Sequence, residues 1–227
     1  MPEERRALLV LRVAATVVFV LSIVLLTVMP SRPVTANVPG LGSAVIGFEL
    51  ASEPAHVFGI LGAPDAPERT EAVRRMDLGN RIDFLFMAAY STLYAGITLL
   101  LSAHGRIGGG IRALLLVLSV LMFAGDALEN RQLLVLSHLT DPAAMAAPLA
   151  ALACWTRLKW YSIYVASALV APFIWREQSW WRWTAVPFGL AALLGFTGPV
   201  HLPGIESGSY VVGVAWLMTL IRSWQRA

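Results

Sequence analysis

The chain has 227 residues, 57% of them hydrophobic and 14% charged, with a net charge of +3. Soluble domains are about one quarter charged, so a water-exposed fold would have to hide too much apolar surface, and the basic residues are too dispersed for nucleic acid. Cys154 is the single cysteine, which excludes an internal disulfide, a CxxC redox pair and a cysteine-built zinc cluster.

About 20 apolar residues cross the hydrocarbon core as a helix. On that length the sequence predicts an all-α integral membrane protein, one polytopic domain over residues 1–227, with about six transmembrane helices. The first span, about 8–29, follows Arg5 and Arg6 and stops at Pro30 and Pro33. It is longer than the apolar stretch of a signal peptide, about 7–15 residues, so it is expected to be retained as an anchor. Arg12, one turn inside, is expected to snorkel to the interface.

Residues 31–80 form the one long connection. Pro33, Pro39, Gly40 and Gly42 read as loop. From Ala44 to Leu61 the pattern predicts one amphipathic helix, with Ile46, Leu50, Val57 and Leu61 on its apolar face and Glu49, Glu53 and His56 on its wet face. Pro64 and Pro67 break it, and Glu68 to Asp77 reads as a separate short charged helix. Further spans follow at about 82–103, 111–136, 150–174, 183–198 and 210–221. Asp141 is placed as an N-cap before Pro142, and Pro187 lies inside the short fifth span.

Loop charge orients the bundle. Arg106, Arg112, Arg176, Arg182 and Arg222 join Arg5 and Arg6 on one side, with few acids. Short basic loops stay in the cytoplasm, so both ends are expected there, in a bacterial inner membrane. Residues 31–80 are then the non-cytoplasmic segment, which adds an amphipathic helix to the bundle on that side.

Ionisable groups inside spans are costly, about 2.5–3.5 kcal/mol each on insertion scales, and functional by default. Asp83 opens the second span, with Tyr90 on the same face. Asp126, Glu129, Asn130 and Arg131 sit past the middle of the third, and Arg157 and Lys159 in the outer half of the fourth. Alternating topology returns all of them to one layer, where Lys159 is the natural counter-ion of Asp126 or Glu129. The catalytic candidates are therefore Asp83, Asp126, Glu129 and Lys159. Tyr90, Asn130, Arg131, Arg157 and Glu49 are the ligand-binding candidates.

His56, His138 and His201 fall on the same outer side, and with Glu49 and Glu53 they offer a candidate set for a divalent metal such as zinc. HExxH, GxSxG and GxxxxGK[ST] are all absent. Ser52-x-x-x-His56 resembles one motif of the ceramidase-like membrane hydrolases, whose later HxxxH pair has no counterpart in this chain. Three readings follow. The first is a protein of the lipid bilayer whose outward polar pocket binds or processes a lipid or small amphipathic molecule. The second is a metal-dependent hydrolase of lipid amides or esters. The third is a non-catalytic assembly subunit whose charges pair with one another.

Overall fold

The computed structural model describes residues 2–198 and 200–225, and among them every regular element is a helix. The α-helices are α1 (Pro2–Val28), α2 (Ala44–Glu49), α3 (Pro54–Leu61), α4 (Arg69–Ala103), α5 (Gly109–Leu136), α6 (Ala146–Trp175), α7 (Ala185–Gly195) and α8 (Pro203–Gln225). Among the described residues five segments are long and apolar enough to cross a membrane: Glu3–Val28, Arg69–Ala103, Gly109–Leu136, Pro142–Trp175 and Pro203–Gln225.

The expected fifth span, 183–198, is not among them. It is a 3-10 turn over Trp180–Thr184 followed by the 11-residue α7. α7 ends at Gly195, where a Cβ would strike the Tyr164 ring. The turn after it closes through Gly198 N–H to Gly195 O at 3.0 Å.

The expected amphipathic helix over Ala44–Leu61 is likewise two short helices. Pro54 occupies the first turn of α3 and holds Glu53 extended, at φ −147° and ψ 157°, as the ring of a proline does to the residue before it. The charged stretch from Glu68 to Asp77 is not a separate helix; from Arg69 onward it is the opening of α4. Glu71 and Arg74 pair at 2.7 Å on that first turn, where an acid also suits the helix dipole. Gly79 lets α4 continue past Met29, whose side chain fills the space a Cβ would take.

The chain divides into two compact units. One comprises residues 1–20, 86–123 and 160–227, and the other 21–85 and 124–159. In the first, Tyr94 shares a 2.6 Å hydrogen bond with Ser167 and meets Trp216 edge-on. Gly96 rests against the backbone of Leu11. Arg12 donates twice to Ser223 O, at 3.0 and 3.2 Å, and lies 4.9 Å from the Trp224 ring. A carbonyl near the end of α8 is thereby satisfied. His104 bridges Glu4 at 3.1 Å and Glu177 at 3.3 Å, with Arg106 3.7 Å from the same Glu177 oxygen.

In the second unit, arginines stitch helix ends to loops. Arg75 donates to Thr27 O, Val28 O and Met29 O, the last carbonyls of α1 and its exit. Arg69, buried, donates to Gly62 O, Ser137 O and Leu139 O. Residues 34–36 lie along α3 through Val34 N–H to Ile60 O and Thr35 and Ala36 N–H to Gly59 O. Asp141 caps the turn before α6, accepting from Ala143 N–H at 3.0 Å as the sequence predicts.

Candidate functional site

Within the second unit, parts of four helices bring ionisable groups to one point. On α5, Asp126, Glu129 and Asn130 stand at i, i+3 and i+4, one face of the helix. On α6, Thr156 and Lys159 are three residues apart. The short α2 ends at Glu49, and α4 supplies Asn80 and Asp83.

Lys159 is the centre. Its ammonium lies 2.5 Å from Glu129 Oε1, 2.9 Å from Glu49 Oε2 and 3.4 Å from Asp126 Oδ1. Side-chain exposure is 0% at Glu129, 4% at Asp126, 5% at Lys159 and 12% at Glu49, so water screens little of this. Thr156 fixes Glu49 from the other side, donating to its backbone carbonyl at 3.1 Å. α6 thus holds both the end of α2 and its carboxylate.

Gly125 explains how α5 and α6 come so close. A Cβ there would stand 2.7 Å from Lys159 N and 3.2 Å from Trp155 O, both backbone atoms that cannot rotate away. Gly125→Ala is expected to cost about 1–3 kcal/mol as an overpacked site, read as a lower thermal midpoint of the purified protein. A midpoint unchanged from the parent would contradict the contact.

A second arm joins the centre through Asn130, which sits on the same face of α5 as Asp126. Its Nδ2 donates to Asp83 Oδ2 at 2.8 Å and to Asn80 O at 3.1 Å. Among the described residues, the buried Glu129 Oε2 and Asn80 Nδ2 have no hydrogen-bond partner. Such groups are expensive unless a further partner serves them.

The other predicted residues lie elsewhere. Arg131 and Arg157 are exposed and outside the cluster. Tyr90 belongs to the first unit, stacked on Trp216 at 5.4 Å. Glu53 and His56 pair with each other at 3.2 Å, and His56 Nδ1 accepts from Ser52 N–H at 3.3 Å with the Ser52 hydroxyl 3.4 Å away. His138 is 2.6 Å from Asp77, which also accepts from Ser137, and His201 is exposed in the first unit. Glu49, expected beside Glu53 and His56, turns instead to Lys159, because the break at Pro54 divides their helix. Among the described residues no group of three or more His, Cys, Asp or Glu side chains is arranged to hold a metal ion.

Asn80, Thr156 and Gly125 were not singled out by sequence reasoning. Asp77, Asn80 and Asp83 do repeat at three-residue spacing on α4, and Gly125 directly precedes the buried acid; both were visible signals. The chain matches no protein-family model, no curated protein and no solved structure.

Proposed function

We propose that the chain is a proton-responsive multi-pass membrane protein, in which the Lys159 centre binds protons and couples them to a lipid or small amphipathic ligand. The observation that carries this is the charge balance: three carboxylates, those of Asp126 and Glu129 buried and that of Glu49 nearly so, face one ammonium. Fully ionised, these three acids and Lys159 would together carry a formal charge of −2 with little water around them. Burying even one unpaired charge costs several kcal/mol. Protons taken up by the centre lower that excess and need no large cavity. Intramembrane acids serve proton relays in this way. A hydrolase has less support, because His56 and His138 are each held by their own acid.

For the membrane itself we infer six crossings, both ends cytoplasmic, in a bacterial inner membrane. The crossing added to the five long segments is Trp180–Gly195, fifth in chain order. A 3-10 turn rises about 2.0 Å per residue and an α-helix about 1.5 Å, so that segment spans about 26 Å, near the roughly 30 Å hydrocarbon core. Leu190 and Leu193 are 45% and 70% exposed on it, as lipid-facing residues would be. The meeting of Glu4, His104, Arg106 and Glu177 supports placing the N-terminus and two loops on one side.

Infrared difference spectroscopy of the protein in lipid nanodiscs tests the proton centre. The carbonyl stretch of a protonated carboxylic acid is expected at neutral pH, fading reversibly as pH rises and weakened by Glu129→Gln. A spectrum without that band, or with a band indifferent to Glu129→Gln, Asp126→Asn and Glu49→Gln alike, would overturn the proposal.

A further inference from the structure

Away from the Lys159 centre, the second unit carries a groove of about 740 Å³. It runs along one face of α4, past Thr70, Arg74, Asp77, Leu78 and Arg81, and is closed on its far side by His138 after the end of α5. Its floor includes the buried Arg69.

The charges in this groove do not cancel. Three arginines line it against one acid, Asp77, and that acid is taken by Ser137 and His138. Arg69 spends its donors on backbone carbonyls and keeps its positive charge without a carboxylate. Arg74 shares its charge with Glu71, which is itself exposed. Arg81 is exposed and makes no hydrogen bond or ion pair among the described residues. The groove thus offers one open guanidinium, a second held by a displaceable partner, and the Thr70 hydroxyl. Guanidinium groups bind phosphate oxygens through paired, charge-assisted hydrogen bonds.

The apolar side of the same helix suggests what the phosphate is attached to. Leu78 is 42% exposed, and Phe84 and Leu85, the turn after Arg81, are 37% and 65% exposed. Arginine followed within a turn by outward apolar side chains is the pattern of a helix leaving the headgroup region for the acyl chains. We infer that this groove binds the phosphodiester of an anionic phospholipid, with Arg81 and Arg74 on the phosphate and the acyl chains along Leu78, Phe84 and Leu85. The inference rests on the membrane-spanning reading and is independent of the proton centre.

Native mass spectrometry of the detergent-solubilised protein tests it, with dioleoyl phosphatidylglycerol, dioleoyl phosphatidylcholine and inorganic phosphate titrated separately. One phosphatidylglycerol is expected to bind saturably, at least tenfold more tightly than phosphatidylcholine. Arg81→Gln is expected to weaken it about tenfold, and Glu71→Gln, which frees Arg74, to strengthen it. Arg81 has no hydrogen-bond or ion-pair partner among the described residues to lose, so its variant reports on binding. Equal retention of the two lipids would overturn the inference, as would indifference to both substitutions. Inorganic phosphate binding as tightly as phosphatidylglycerol would overturn the lipid assignment.

Discussion

Lys159→Met is expected to destabilise the protein by about 3–5 kcal/mol, the range for removing one partner of a buried ion pair. Methionine fills much of the same space, so the loss comes from charge. Glu49, Asp126 and Glu129 would be left facing one another with no cation between them. Protons can neutralise those stranded acids, so the deficit should shrink as pH falls and widen as it rises. Unfolding of the purified variant in detergent, followed by circular dichroism at several pH values, reads both effects. A loss under about 1 kcal/mol that ignores pH would show that the ammonium does not balance the acids.

Arg69→Met is expected to come next, at about 3 kcal/mol. A single guanidinium serves three carbonyls, at Gly62, Ser137 and Leu139. Each buried carbonyl left without a donor costs about 1–3 kcal/mol, and the three are not additive. The fork geometry also matters, so Arg69→Lys should recover less than half of the loss. The same experiment checks it, with limited proteolysis after Leu136 as a second readout. That stretch should be cleaved faster in Arg69→Met, because its anchor to α4 is gone. Stability equal to the parent in both substitutions would contradict the clamp.

The Lys159 centre was largely legible in the sequence, for a physical reason. Charges in apolar helices are so costly that their positions are informative, and alternating the direction of successive helices brought Asp83, Asp126, Glu129, Asn130 and Lys159 together. Depth alone does not give direction around a helix. Arg131 is one residue past Asn130, about 100° around the axis, and Arg157 is two before Lys159, about 200° around. Both are exposed and miss the centre.

The shared face expected for Glu49, Glu53 and His56 is broken by one residue. Reading Ala44 to Leu61 as a single helix put Glu49, Glu53 and His56 on one face. Pro54 ends that continuity, and Glu49 at the close of α2 turns to α6. The boundaries of α4 failed differently. Hydropathy drops at its charged beginning, but backbone hydrogen bonds do not depend on hydropathy, and no proline interrupts Arg69–Ala103. α7 was overestimated because its apolar run is longer than its regular helix; Gly195 and Gly198 end the helix while hydrophobic residues continue.

The central claim is that three acids share one ammonium, and a set of double-mutant cycles tests it most directly. Lys159→Met is combined in turn with Glu49→Gln, Asp126→Asn and Glu129→Gln, and each stability is compared with the sum of its single changes. The geometry predicts that every acid substitution partly rescues Lys159→Met, with interaction energies of about 1–3 kcal/mol in all three cycles. The largest is expected for Glu129, at 2.5 Å the shortest of the three contacts. Additivity within about 0.5 kcal/mol in the three cycles would contradict the shared centre.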